Sequence, residues 1–460
     1  MIELKGKYNK DCKIFIDDIE SEAISLIQNI LDNKVSEDVP VRIMPDVHAG
    51  KGITIGYCAP MTNLLNPNHI GCDIGCGVIG GFFKSDKKFD LSDLDKKIRK
   101  AIPTGFNLND ESPIKKYSFD EVQKTAEIFI KKYNEKFNTS YSVPEYSEKW
   151  LSKKLKEIGM DEEKFWKSLK TMGGSNHYIE LTISELKEYM ISIHCGSRNF
   201  GLKIADYHVN QAKKQKNYSE DEYSKLFNDI TLNTKDKSTI HQKLKELKEK
   251  FEIGIDREYL KGDYMMNYLY DMIFAQHYAS LNRKLILDDI REILGVKFDN
   301  VIDTVHNYIN FNDFIIRKGA ISAHKDEMVL IPLNMRDGVL LCKGKGNSDW
   351  NYSLNHGAGR LMSRSAAKAK FELSEFKETM KNVYSSSIIK TNLDESPMAY
   401  KNSKMIEELM EPNAEIIDRF IPILNIKDNS STETFKERKN NKKIRDKERY
   451  QLRNFKEMNQ

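Results

Sequence analysis

Residues 69–81 read HIGCDIGCGVIGG, and this glycine-rich stretch constrains the course of the backbone on either side of it. Five glycines among thirteen residues favour tight turns and close backbone approach over a regular helix. Asp73 and Cys76 lie three residues apart among these glycines, so one turn can direct both side chains inward. A second block, GKGITIGYCAP, precedes it at residues 50–60. Glycine density of this kind is typical of a functional site and not of a linker.

Strand-like and helix-like blocks alternate outward from this stretch. Residues Ser21–Leu31 have helical spacing, and apolar, glycine-punctuated sequence returns at 301–364 with the character of strands. Two charged segments with helical spacing, at about 108–170 and 205–295, interrupt the glycine-rich blocks and are interpreted as helical insertions. The pattern predicts one α+β body over residues 1–428.

Composition places the chain among folded, globular proteins. Hydrophobic residues make up 39% and charged residues 31% of its 460 residues. No segment holds eighteen consecutive apolar residues, and the first residues lack an apolar core, so neither membrane spanning nor secretion is expected. Six cysteines without a paired framework fit a reducing compartment, and we expect the cytoplasm.

The net charge of +4 is unevenly placed. Residues 429–460 hold ten Lys/Arg and five Asp/Glu, so this tail carries +5 and the rest of the chain −1. The tail is interpreted as a basic extension that either binds RNA through its charge or is simply solvated. Phosphate affinity of the body must therefore come from local groups.

Five side chains form a candidate metal site. Asp73 and Cys76 are joined by His177 in GGSNHYIE, His194 in ISIHCGSRNFG and His306 after VIDTV, each beside glycine or a strand-like run. One thiolate, one carboxylate and three imidazoles are ample for one divalent ion, and hold two if the thiolate bridges them. Each histidine alone is equally well read as a satisfied core residue.

A second candidate centre is NHGAGRLMSR, in which His356 precedes a flexible Gly-Ala-Gly. An imidazole nitrogen can attack the α-phosphorus of a nucleotide, provided that cations neutralise the phosphate oxygens. Backbone amides of Gly357 and Gly359 suit that purpose, and Arg360 and Arg198 suit contact with RNA phosphates. No GxxxxGK[ST] motif is present, so a nucleotide must bind through a structural element other than a P-loop. A plain turn histidine is the alternative.

Six motifs in order, MPDVHAGKG, GCDIGCGV, GGSNHYIEL, HCGSRNFG, RKGA and NHGAGRLMSR, resemble those of the RtcB RNA-splicing and repair ligases. The resemblance covers residues 1–428. It implies a single large domain of stacked β-sheets flanked by helices. It also implies an enzyme that joins RNA 3′-phosphate or 2′,3′-cyclic phosphate ends to 5′-hydroxyl ends, in RNA repair or tRNA splicing.

The same resemblance assigns cofactors and residues. Two manganese ions are expected, with Cys76 bridging, Asp73 and His177 completing one site, and His194 and His306 the other. GTP would guanylylate His356. The implied GTP contacts are Asn176, His177, Tyr178, Ile179, Glu180, His306, Asn307, Leu333, Asn334, Met335, Arg336, His356, Gly357, Ala358, Gly359 and Lys427.

The loop NMRDG at residues 334–338 departs from the usual family pattern. It is similar to a bacterial subgroup that often accompanies a release-factor homologue, so an accessory repair protein is a possible partner. Two other functions stay open on the residues alone. One is a metal phosphoesterase that opens cyclic phosphates without ligation, and the other is a non-catalytic RNA-binding protein with a closed structural metal.

Overall fold

In a computed structural model of the chain, residues 1–215, 220–234, 236–250 and 258–429 are described. Apart from Asn429, the basic tail predicted from the sequence lies outside these ranges. The helices are α1 Ser21–Leu31, α2 Leu91–Ala101, α3 Asp120–Phe137, α4 Glu148–Glu157, α5 Glu162–Lys167, α6 Arg198–Lys214, α7 Glu220–Asn233, α8 Lys237–Lys250, α9 Gly262–Leu294, α10 Arg364–Lys370, α11 Leu373–Thr379 and α12 Ser403–Met410. The strands are β1 Ile2–Leu4, β2 Cys12–Ile14, β3 Val41–His48, β4 Ile55–Pro60, β5 Gly77–Phe83, β6 Tyr178–Ile183, β7 Tyr189–Cys195, β8 Asn300–Val305, β9 Asn307–Ile309, β10 Ile315–Lys318, β11 Ala320–Ser322, β12 Met328–Asn334, β13 Gly338–Gly344, β14 Ser353–Asn355 and β15 Ala414–Ile426.

The strands form three sheets. A seven-stranded antiparallel sheet has the order β12-β13-β15-β6-β7-β5-β8, and a six-stranded sheet has the order β1-β2-β3-β4-β10-β9. A small third sheet pairs β11 with β14. Sheets and helices occur together throughout, which confirms the predicted α+β class. It also agrees with a single large domain built on several sheets.

Strand β5 is the sixth of the seven strands of the larger sheet, between β7 and the edge strand β8. Its sequence GVIGGFF is buried at every position, as expected for β-branched and aromatic residues covered on both faces. It pairs with β7 on one side and β8 on the other, with Gly77 opposite both Cys195 and Val305. The register of these three strands therefore brings the start of β5 beside the ends of β7 and β8.

Helix α9 is the longest described element, at 33 residues. It packs against α2, α3 and α6 and against strands β5 and β7, so it links the helical part of the molecule to the larger sheet. Helices α3 to α5 and α6 to α9 carry the two segments interpreted as insertions. The division into a catalytic domain with insertions stays a prediction. No helix within the described ranges has the length and apolarity needed to cross a membrane.

Candidate functional site

The five predicted ligand residues meet at one end of the larger sheet. Cys76 directly precedes β5 and His177 directly precedes β6, while His194 lies near the end of β7 and His306 directly follows β8. Because the strands are antiparallel neighbours, the starts of β5 and β6 lie beside the ends of β7 and β8. Asp73 reaches the same place from the glycine-rich turn before Cys76.

The ligand atoms form two groups of three that share the thiol of Cys76, and all atoms in each group lie within 4.8 Å of one another. In the first group, Nε2 of His177 lies 3.1 Å from Oδ2 of Asp73 and 3.5 Å from Sγ of Cys76. In the second, Nε2 of His194 lies 3.3 Å from Sγ of Cys76 and 3.3 Å from Nε2 of His306. Each group of three offers ligands that could hold a divalent ion.

Neighbouring groups orient these ligands. The ring Nδ1–H of His177 donates to the carbonyl of Met172 at 3.0 Å, which leaves Nε2 with its lone pair directed at the ligand cluster. The amide of Ser197 donates to Oδ1 of Asp73 at 3.0 Å. Gly196 is required beside it, because a Cβ at that position would lie 2.2 Å from the same oxygen. The cluster is thus held in its ligating geometry by hydrogen bonds and close packing.

The electrostatics of the cluster favour a cation. Burial and the neighbouring imidazoles lower the pKa of His194 and His306 well below the ordinary value, so both rings are neutral, as metal ligands must be. Burial raises the pKa of Asp73, but the combined effect of His177, Cys76 and the charge of Arg198 outweighs burial and lowers the pKa to about 2. Burial and the charge of Asp73 raise the pKa of the Cys76 thiol, so a cation is needed to stabilise its thiolate.

Arg283 of α9 contacts the backbone that carries the ligand cluster, and it was not identified from the sequence. Its fully buried guanidinium donates to the carbonyls of Gly75 and Cys195 at 2.6 and 3.0 Å. It is also paired with Asp303 of β8, with N···O distances of 2.7 and 2.9 Å. A single side chain therefore connects the glycine-rich turn, the end of β7 and β8.

His356 lies at the edge of the cluster, its ring centroid 4.8 Å from that of His306. Its backbone N–H and its ring Nδ1 both face Oδ2 of Asp46, at 3.2 and 2.6 Å. Asp46 is fully buried on β3, and Gly359 packs so closely against it that a Cβ would lie 2.3 Å from its carbonyl oxygen. Because Nδ1–H donates to the carboxylate, Nε2 is left as the lone-pair nitrogen.

Beside His356 lies a cavity of about 730 Å³, called here the His356 cavity. The residues lining it that were predicted to contact GTP or RNA are Asn176, Tyr178, Glu180, Leu333, Asn334, Met335, His356, Gly357, Ala358, Gly359, Arg360 and Lys427. The cavity thus brings together residues at the start of β6, residues of the strand and loop before β13, and residues at the end of β15. Most of the predicted contacts are brought together in one place.

Four other predicted residues lie elsewhere. Ile179 is buried in the core on the other face of β6. Asn307 lies on the ligand side and donates to the backbone carbonyl of Asp73 at 3.3 Å. Arg336 turns away to bond Thr379 and its neighbour Asp337. Arg198 donates to Thr171 and to the carbonyl of Gly105, both at 3.0 Å.

Charged side chains at one end of the His356 cavity form a network that was not found from the sequence. Lys427 Nζ lies 2.8 Å from Oε2 of Glu395, and both residues are only 3–4% exposed. Arg364 pairs with Glu395 and, at 2.8 Å, with Asp394. Tyr400 donates its hydroxyl to Glu395 at 2.9 Å. The carboxylate of Glu395 therefore fixes the positions of the cationic side chains of Lys427 and Arg364.

The pKa values of two buried carboxyl groups of this cavity are shifted in opposite directions. Burial raises the pKa of Glu395, but the charges of Lys427 and Arg364 outweigh burial and lower it to about 2. Burial raises the pKa of Glu180 to about 8, although the amide of Asn425, which donates to it at 2.8 Å, acts in the other direction. Near neutral pH one group is ionised and the other largely protonated.

Among the site residues that sequence analysis missed, only some lie in a recognisable sequence motif. Asp46 belongs to the motif MPDVHAGKG, and an acid beside a histidine-containing motif is a reasonable orienting partner. Glu395 and Asp394 lie in LDESP, which has no distinctive pattern, and Arg283 is one of several basic residues in a long helix. Only the fold shows what these three side chains contact.

Comparisons with known proteins agree with this geometry. A family model described as tRNA-splicing ligase RtcB matches residues 36–428. RNA-splicing ligase RtcB of Escherichia coli K12 is 27% identical over 406 residues, which covers 82% of this chain and 86% of that protein. tRNA-splicing ligase RtcB of Aeropyrum pernix is 25% identical over 438 residues, covering 80% and 83% of the two chains. The family match spans both the ligand cluster and His356, and the chain belongs to the RtcB family.

Proposed function

We propose that this protein is an RNA ligase that uses GTP and two manganese ions and works through a guanylylated His356. The observation that carries the proposal is the placement of His356 between the ligand cluster and the His356 cavity, with its Nδ1 held by buried Asp46. A histidine fixed in this way presents Nε2 as a nucleophile at a point where phosphates and cations can meet. The relatives named RNA-splicing and tRNA-splicing ligase support the same reaction class.

The first step uses residues of both sites. Nε2 of His356 attacks the α-phosphorus of GTP, a nitrogen–phosphorus bond forms, and pyrophosphate leaves with the electron pair of the broken phosphorus–oxygen bond. Asp46 keeps the proton on Nδ1 and stabilises the positive charge that develops on the ring. Arg360 and the backbone amides at residues 357–359 line the cavity where the phosphates would lie.

The later steps consume RNA ends. GMP passes from His356 to an RNA 3′-phosphate, and a 5′-hydroxyl then attacks that activated phosphorus and releases GMP. A 2′,3′-cyclic phosphate would first be hydrolysed to the 3′-phosphate. Divalent ions held by the two groups of ligands would neutralise the phosphate oxygens during these steps. A cavity of about 1490 Å³ over Asp73, Cys76 and His306 offers room for the RNA ends.

Guanine selectivity is assigned to Glu180 and Lys427 on the wall of the His356 cavity. Guanine presents a donor at N2 and acceptors at O6 and N7. Glu180 offers carboxyl oxygens, and Lys427 offers an ammonium donor. Adenine lacks the N2 donor and carries a donor where guanine has O6, so the pocket favours GTP.

Two further parts of the proposal extend to biology. The NMRDG loop at residues 334–338 suggests RNA repair, in the company of an accessory release-factor homologue, as an alternative to tRNA splicing. The six cysteines are all free thiols, which suits action in the cytoplasm.

The decisive experiment is labelling with α-labelled GTP in Mn²⁺, beside labelled ATP. We expect acid-labile label on the denatured protein from GTP only, absent in His356→Ala and retained in His324→Ala, a control histidine on the surface. The same preparations are then given RNA with 3′-phosphate and 5′-hydroxyl ends. Hydrolysis of a cyclic phosphate without label or ligation, and equally fast in His356→Ala, would replace the ligase with the phosphoesterase.

A further inference from the structure

A separate cavity lies among the helices, away from the residues described above. It is lined from α4, α6, α9 and the segment before α4; we call it the lobe cavity. Part of its wall is aromatic, from Trp150, Tyr207, Tyr264 and Tyr270. Tyr264 is 50% exposed, so its ring face is available to a ligand. Lys153 is exposed at the rim.

The floor of the lobe cavity is a buried polar group that lacks one partner. His208 donates from Nε2 to Oδ2 of Asp271 at 2.6 Å, and Lys154 Nζ lies 3.0 Å from the same oxygen. His208 and Asp271 are 2% and 1% exposed. Nδ1 of His208 is buried and has no hydrogen-bond partner in the described part of the chain. This nitrogen is shielded from solvent, so the His208–Asp271–Lys154 group closes the floor of the cavity and does not itself contact a ligand there.

One lysine at the rim of the lobe cavity is available to an anionic group, although the lining as a whole holds two lysines and two acids. Helix α4 carries four lysines, at 149, 153, 154 and 156, against two glutamates within its ten residues. Glu157 is already engaged by Lys154 and by the hydroxyl of Tyr207, and Asp271 by Lys154 and His208. Lys153 makes no ion pair with any described residue and is left to meet a phosphate.

Two helices connect the lobe cavity to the ligand cluster. Helix α6 begins directly after Ser197, which contacts Asp73, and reaches His208 ten residues later, about 15 Å along the helix axis. On α9, Gln276 packs against Gly75 of the glycine-rich turn, where a Cβ would lie 2.9 Å from its Cα. A ligand in the lobe cavity would therefore lie within reach of an RNA strand that enters the active centre.

We propose that the lobe cavity binds a nucleobase of single-stranded RNA, at a position some nucleotides away from the ends that are joined. This proposal rests on the proposed ligase function. The base stacks on Trp150 and Tyr264, and the adjoining phosphate pairs with Lys153. Aromatic faces beside lysines bind single strands without strict sequence preference, because every base has a stacking face.

The test is equilibrium binding of 3′-phosphorylated single-stranded RNAs of about 5 and about 20 nucleotides to the full chain. Wild-type protein should bind the longer RNA more tightly. We expect Tyr264→Ala and Lys153→Ala to weaken binding of the longer RNA about 10-fold and leave the shorter one unchanged. Tyr264→Phe keeps the ring and should bind like wild type. Lys131→Ala on α3 is the control for loss of an exposed lysine.

A photoreactive base in the longer RNA locates the contact directly. Cross-links to Tyr264 or Trp150 are expected. Unchanged binding in Tyr264→Ala and Lys153→Ala, or cross-links only outside the lobe cavity, would overturn the proposal, as would equal competition by an acidic peptide. GTP labelling is measured on the same preparations. Loss of label with length-dependent binding intact would contradict the ligase chemistry alone, whereas normal label with length-independent binding would contradict only the lobe site.

Discussion

The ligand cluster and the His356 cavity meet at His356, yet they are stabilised in different ways. In the cluster, four donors surround the shared thiol of Cys76, and strand register places them. In the cavity, oppositely charged side chains pair around Glu395. The cluster is thus a set of ligands that needs a cation, whereas the cavity contains its own ion pairs. Substitutions in the two regions should therefore change different properties: metal binding in the cluster, and stability in the cavity.

The largest effect is expected for Cys76→Ser. Because both groups of ligands share this sulfur, its loss weakens both metal sites at once. The loss of affinity should exceed the about 10- to 100-fold cost typical of an outer-shell partner, and ligation should disappear. Metal content of manganese-loaded protein checks this directly. The control is Cys195→Ser, a buried thiol outside both groups, which should retain two metal equivalents; retention of two by Cys76→Ser would refute the bridge.

A smaller effect is expected for Asp46→Asn, because Asp46 acts through His356 and belongs to neither group of ligands. An amide can donate to Nδ1 and so stabilise the wrong tautomer, which should slow GTP labelling about 10²- to 10⁴-fold. Metal content and GTP affinity should stay near wild type, so the loss falls on the rate and not on binding. An equal loss of rate and metal would mean that Asp46 has only a structural role.

Glu395→Gln should affect stability instead. It leaves buried Lys427 without its counter-charge and Arg364 with Asp394 alone, and we expect a loss of about 3 kcal/mol in the free energy of unfolding. The pKa of Glu395 is about 2 in the folded state, against an ordinary 4.5, so its contribution is complete above pH 4.5. As the pH falls toward 2, the gap between wild type and variant should close.

Urea unfolding at several pH values measures that gap. Glu378→Gln is the matched control, because its exposed pair with Lys381 contributes little. If the difference in unfolding free energy between wild type and Glu395→Gln grows as the pH falls, the Glu395 carboxylate is not what stabilises the cationic side chains of the cavity.

Several features were accessible from the sequence because they are local. The glycine-rich turn at residues 69–81 and the helix Ser21–Leu31 follow from short-range spacing, and the α+β class follows from their alternation. The ligand types at Cys76 and His177 were recognisable, and so was His356. Their motifs also pointed to the family that the comparison confirms.

Other features depend on pairs that are distant in the chain. Asp46 and His356 are 310 residues apart, and Lys427 and Glu395 meet only because β15 ends beside the turn that carries Glu395. Arg336 belongs to a loop that resemblance placed on the nucleotide, but its side chain bonds Thr379 instead. A loop sequence does not specify the direction of each side chain, because that depends on neighbouring packing.

The sequence by itself determined the chemical inventory: which side chains can bind metal, which histidine can act as a nucleophile, and which residues form helices and strands. The tertiary structure decided how that inventory divides into two sites, which carboxylate orients His356, and which charges neutralise one another. The physical reason is range. Backbone preferences and side-chain chemistry act within a few residues, whereas strand register, burial and charge pairing connect residues that only the fold brings together.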